Sequence, residues 1–248
     1  MRVGWLRRFM TQRWEDLVLL HWPVPRDSLQ ATLPDDLEID LFEGEAWASV
    51  VGFKLTNLRI QPFSWIPWND FWEVNLRTYV RDRDGRKGVW FHSLDSSDPL
   101  AVLGARTLYG LSYHWARIRG SQMDRSIAYD SRRVSFFSAA NARISAAFQT
   151  SGDDLIKADS SLDRFLLERY RFWARRRFSS SSGDAQVMHR PYDAIHLKSA
   201  TYEGELFESQ GLAEPDEGPF ISHYCKGFGV EASAPSWAFA MAGQANQR

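Results

Sequence analysis

The segment FWEVNLRTYV-RDRDGRKG-VWFHSL, residues 71–94, constrains this chain more than any other. Trp72, Val74, Leu76, Thr78 and Val80 alternate with Glu73, Asn75, Arg77 and Tyr79, the period-two pattern of a strand. Asp84–Gly85 supplies the left-handed turn chemistry that folds such a strand back as a hairpin. LEIDLFEGEAWASVVGFKL reads as two more strands joined at Glu43–Gly44–Glu45. Further strands are expected near Ile127–Arg132, Arg143–Gln149, Ile195–Tyr202 and Tyr224–Glu231. Strands joined by hairpins, with a few helices inserted, predict an α+β fold that is mainly antiparallel β. A sheet of this many strands must curl into a barrel or split into two layers. No linker is visible, so a single domain over 1–248 is expected, with a core at 11–231 and a loosely docked tail at 232–248.

Three helices are predicted between the strands. RDSLQATLP makes a short one stopped by Pro34. DPLAVLGARTLYG has Asp98 as cap, Pro99 in the first helical position and Gly110 at the exit. The strongest helical signal is SSLDRFLLERYRFWARRRF, residues 160–178, with a Ser160/Asp163 capping box and Arg175–Arg177 at the negative end of the dipole. SSSSGD, Ser179 to Asp184, reads as a flexible loop.

A net charge of −1 excludes nucleic acid as the main partner, because phosphate binding needs a clustered positive surface. No run of eighteen apolar residues exists to span a membrane, and no signal peptide follows MRVGWLRRFM. The single cysteine, Cys225, rules out an internal disulfide and fits a reducing compartment, so a cytoplasmic protein is expected. The histidines share no tight spacing with Asp, Glu or Cys, so no metal or cofactor is expected, although convergence in space is left open.

The polar row of strand 72–80 either faces water or lines an interior cavity. Glu73 and Arg77 lie about 13 Å apart along an extended strand, too far to neutralise each other. EVNLRTYV, GVWFHSLD and VLGARTLYGLSYHWARI, together with QRWEDLVLLHWPV and SSLDRFLLERY, resemble the YqjF-like family of uncharacterised proteins. That family is in turn similar to the acetoacetate decarboxylases. The resemblance implies a curled, cone- or barrel-like sheet around a shielded pocket, with Glu73 facing it. In the decarboxylases a Tyr-Gly-Phe-Pro motif precedes two lysines, the first of which forms an imine with the substrate ketone. Here the motif runs Tyr109, Gly110, Leu111, Ser112, Tyr113, His114, so Tyr113 stands where the imine-forming lysine would be. None of the five lysines lies in this segment, and imine chemistry is not carried over.

Glu73, Tyr113 and His114 are therefore the candidate catalytic residues, suited to acid–base work on a small keto or hydroxy acid. Tyr113 and His114 are adjacent in a strand and point to opposite faces, so only one enters the pocket unless a bulge intervenes. Arg77 or Arg13 is a candidate carboxylate partner, with His21 as a further ligand-binding candidate. The expected partner is an acidic or carbonyl-bearing small molecule. A non-catalytic binding module is the alternative reading, and oligomers among the decarboxylases leave a similar habit open here.

Overall fold

The computed structural model describes residues 8–123, 126–134, 140–147, 156–175 and 182–238. β1 (Met10–Pro23) is followed by the short helix α1 (Arg26–Gln30), β2 (Leu37–Ile39) and β3 (Trp47–Ile60). β4 (Phe71–Asp82) and β5 (Lys87–Ser96) form the hairpin read from the sequence. Helix α2 (Pro99–Leu108) then leads into β6 (Tyr113–Met123), β7 (Ser126–Arg133) and β8 (Asn141–Ala147). Helix α3 (Ser161–Leu167) precedes β9 (Arg171–Arg175), β10 (Ser182–His189), β11 (Ala194–His196), β12 (Ser199–Gly204) and β13 (Ile221–Ala232).

The strand pairings run β5–β9–β10–β13–β1–β3–β4 and return to β5, with β11 added on β13. Neighbours in this ring are antiparallel except β5 and β9, which pair in parallel at Val89–Trp90. Strands β6, β7, β8 and β12 form an antiparallel group attached to β5 by a short parallel pairing at Leu94–Ser96. One apolar layer joins Val74, Leu76 and Val80 of β4 to Ile118, Ile127, Tyr129 and Ile144 of that group. The other side of β4 meets a second layer built from Leu17, Leu19, Val51, Phe53, Leu55 and Leu167. Strand β4 is thus buried on both faces, and its polar row of Glu73, Asn75, Arg77 and Tyr79 is enclosed rather than solvated.

Helix α2 is built as its sequence dictates. Asp98 Oδ1 accepts hydrogen bonds from the backbone N–H of Leu100 (2.7 Å) and Ala101 (3.2 Å), Pro99 opens the helix, and Gly110 leaves it at φ +68°. The 160–178 helix is corrected. Its Ser160/Asp163 capping box is present, but α3 ends at Leu167 and the chain continues as strand β9. Phe172 and Trp173 enter two different apolar clusters, which a period of two satisfies as well as a helical period. The open edge of β5 then decided the matter, because it offers Arg171–Arg175 a pairing partner. Arg175 is accordingly a strand residue, while Arg176 and Arg177 lie outside the described residues. Of the expected 179–184 loop, Ser182–Asp184 belong to β10, paired with Trp173–Arg175, and 179–181 lie outside the described residues.

The start of the expected tail is docked: Ser233 N–H donates to Gln186 O at 2.9 Å, and the Tyr109 hydroxyl donates to Ser233 O at 2.9 Å. Residues 239–248 lie outside the described residues. Among the described residues no helix is long and apolar enough to cross a membrane.

Candidate functional site

Glu73 sits in β4 opposite Phe53 of β3 and Ser96 of β5, and only 3% of it is exposed. Two strands away, Tyr113 opens β6 opposite Leu94. The Tyr113 hydroxyl donates to Glu73 Oε2 at 2.6 Å, and Asn75 Nδ2 donates to Oε1 at 3.0 Å. Burial pushes the Glu73 carboxyl up to about 7, against the two hydrogen bonds, which favour the carboxylate. Burial, then the neighbouring carboxyl, holds the Tyr113 phenol well above its ordinary value, so tyrosine is the donor of the pair. Asn75 Oδ1 is buried without a hydrogen-bond partner. Turning that amide would present the oxygen to a protonated Glu73, so both charge states of the carboxyl find a partner.

Glu73 and Tyr113 belong to the wall of a cavity of about 130 Å³. The rest of the wall is nearly all apolar and comes from β1, β3, β5, α2, β9, β10, β13 and the β3–β4 connection, with Trp14, Phe53, Trp68, Phe91 and Phe172 among its larger members. Gln12 is a further polar side chain there, and Trp14 adds an Nε1 that is buried without a partner. No lysine or arginine lines this cavity among the described residues. Lys54 pairs with Asp70 at 3.1 Å and lies over the Trp72 ring.

The other sequence candidates lie elsewhere. His114 does not come together with Glu73. It follows Tyr113 in the strand, sits opposite Asp95 and lines a groove with Arg106, Ser112 and His92 that shares Phe91, Leu111 and Tyr113 with the cavity wall but does not include Glu73. Burial first, then Arg133 and Arg106, lowers its imidazole to about 4. Arg13 is exposed and paired with Glu15 at 2.9 Å. Arg77 is buried, with Nη2 3.5 Å from Leu166 O, and is not part of the cavity wall. His21 is fully buried in a hydrogen-bonded row: its Nδ1 is 2.7 Å from Ser49 Oγ, and its Nε2 is 3.1 Å from His223 Nδ1. His223 Nε2 and His196 Nε2 in turn approach the Asp163 carboxylate at 2.8 and 3.3 Å. Sequence spacing misses this cluster, because 33 and 60 positions separate Asp163 from His196 and His223. The visible signal was the capping box, which places Asp163 at the start of α3.

Residues 11–229 match the DUF2071 family, described as an uncharacterized conserved protein. The chain is 36% identical over 222 residues to the uncharacterized protein YqjF of Bacillus subtilis, covering 88% of this chain and 87% of that protein. Solved structures share the fold. Acetoacetate decarboxylase from Legionella pneumophila superposes with a TM-score of 0.59 at 13% identity, covering 90% of this chain and 86% of the other. The enduracididine biosynthesis enzyme MppR, complexed with pyruvate, gives 0.62 at 12% identity, covering 91% and 89%. An acetoacetate decarboxylase-like enzyme from Sphingomonas wittichii gives 0.60 at 14%, covering 92% of each chain.

Proposed function

This chain belongs to the DUF2071 family and has an acetoacetate decarboxylase-like fold, and from that premise we propose that it performs acid–base chemistry on a small carbonyl compound without forming an imine. One observation carries the reading: a buried carboxyl poised at about 7 is hydrogen-bonded to a tyrosine on the wall of an apolar cavity. A group with that poise both takes and returns a proton near neutral pH. As a carboxylate, Glu73 removes the proton from the carbon beside the carbonyl, becoming the acid as the enolate forms. It returns the proton to a different carbon, or to the same one. Tyr113 donates to the carboxylate in the resting state and supplies the O–H that stabilises charge developing on the substrate oxygen.

The wall favours a keto or hydroxy compound that is uncharged where it meets the cavity, because a carboxylate would be buried there without a cationic partner. MppR, with the same fold, is complexed with pyruvate, which supports a small oxo compound as the class. The alternative is a binding module. It draws on the same geometry, since both Glu73 oxygens already accept hydrogen bonds from within the protein. Proton exchange in deuterated water, followed by NMR over a panel of small keto and hydroxy acids and their neutral esters, separates the two. Exchange that the wild type catalyses and Glu73→Gln does not supports the proposal. Ligand binding without exchange, or exchange that survives Glu73→Gln, overturns it in favour of the module.

A further inference from the structure

A row of five short contacts crosses the interior away from the Glu73 cavity. Asp163 Oδ1 meets His223 Nε2 at 2.8 Å, and His223 Nδ1 meets His21 Nε2 at 3.1 Å. His21 Nδ1 meets Ser49 Oγ at 2.7 Å, Ser49 Oγ meets the Tyr79 hydroxyl at 2.6 Å, and that hydroxyl lies 3.0 Å from Leu166 O. Both ends, a carboxylate and a carbonyl, are acceptors only. Between them stand two imidazoles and two hydroxyls. With both imidazoles neutral, four polar hydrogens face five contacts. If Tyr79 donates to Leu166 O, Ser49 to Tyr79, His21 Nδ1 to Ser49 and His223 Nδ1 to His21, the bare lone pair of His223 Nε2 faces the Asp163 carboxylate.

A proton or a metal cation at that last contact completes the row, and a third ligand favours the metal. His196 stands opposite His223 in the β11–β13 pairing and brings its Nε2 to 3.3 Å from the other carboxylate oxygen. We propose that Asp163, His196 and His223 bind a divalent transition-metal ion of the Zn²⁺ type. Two neutral imidazoles and one carboxylate are a donor set suited to that ion. The three ligand atoms lie within 4.8 Å of one another. An ion between them sits no more than about 2.8 Å from each, so reaching coordination distances of roughly 2.0–2.2 Å takes movements under an ångström.

The surroundings orient the ligands as metal sites require. The 3.1 Å contact to His21 takes up His223 Nδ1 and leaves Nε2 for the metal, and the Ser160 backbone N–H donates to Asp163 Oδ2 at 2.9 Å. Asp163 and His223 are wholly enclosed, while the His196 side chain is 26% exposed and provides the entry side.

The test is titration of the chelator-treated full chain with Co²⁺ and then Zn²⁺, followed by calorimetry and by the visible absorption of Co²⁺. One ion per chain is expected, with the intensified bands of a Co²⁺ site of low coordination number, displaced by Zn²⁺. His196→Ala, at the accessible edge, abolishes this binding with the fold retained by circular dichroism. Ser49→Ala, which touches no metal ligand, weakens it by about 10–100-fold through the orientation of His21 and His223. Absence of one-to-one binding, or binding unchanged by His196→Ala, overturns the site. So does a chelated protein in which His223 carries protons on both nitrogens and Zn²⁺ displaces neither. The readout does not involve the Glu73 cavity, so this inference and the proposed function fail independently.

Discussion

The Tyr113 hydroxyl oxygen reaches across β5 to lie 2.6 Å from Glu73 Oε2, joining the first residue of β6 to the third of β4. The contact depends on register. Tyr113 pairs with Leu94, which shares the cavity wall with it, whereas His114 pairs with Asp95 and lines only the neighbouring groove, away from Glu73.

The Glu73 carboxyl makes stability depend on pH. Its folded value of about 7 lies above the 4.5 of an ordinary glutamate, so between those values the native state keeps a proton that the unfolded chain has released. Stability from this group is full below pH 4.5, falls as pH rises toward 7, and is flat above that. The shift corresponds to about 3 kcal/mol, an order-of-magnitude figure. Denaturant melts of wild type and Glu73→Gln at pH 5 and pH 8 check this. The variant is expected to gain on the wild type at the higher pH by that order, and equal gains at both would contradict the assignment.

Tyr113→Phe removes the hydrogen bond that favours the ionised form, so the Glu73 value should rise further. Carbon-13 NMR of the labelled carboxyl reads this directly. A stability loss of about 1–2 kcal/mol accompanies it, because a buried acceptor loses its donor. A lowered Glu73 value would be the contrary result.

On the other face of β5, Arg133 Nε donates to Asp95 Oδ1 at 2.7 Å with both side chains fully buried, and Ser131 donates to Oδ2 at 3.1 Å. Arg133→Ala strands a buried carboxylate and should cost about 3–5 kcal/mol. The double variant Arg133→Ala/Asp95→Ala should cost less than the sum of the two single changes, read by urea melts. Additive losses would show that the pair is not coupled.

Gly104 lies within α2 on the cavity wall, and a Cβ built there meets nothing within 4 Å. Gly104→Ala should therefore stabilise the fold by about 0.5–1 kcal/mol through helix propensity alone. Gly104→Phe should keep the fold and obstruct ligand entry. Thermal melts paired with ligand titration measure both effects, and a destabilised Gly104→Ala would contradict the open space.

Local patterns were legible wherever one short segment settles its own conformation. The Asp84–Gly85 hairpin, the Asp98–Pro99 helix start and the Ser160/Asp163 capping box each depend on neighbouring residues, and each formed as read. The 160–178 helix was misread because Phe172 and Trp173 suit either period, and only a strand edge distant in sequence chose between them.

From the sequence alone came the alternation that puts Glu73, Asn75, Arg77 and Tyr79 on one face, and the tyrosine at 113 where the decarboxylases carry lysine. Strand periodicity dictates which residues share a face; it is silent on what covers that face. Strand pattern left both points open, the resemblance implied only a pocket in front of Glu73, and the tertiary structure decided that the whole face is buried and that Tyr113, not His114, meets Glu73. It also gathered Asp163, His196 and His223 from α3, β11 and β13. The physical reason is that burial and convergence follow from pairing register and layer packing between distant segments, and no local spacing encodes those distances.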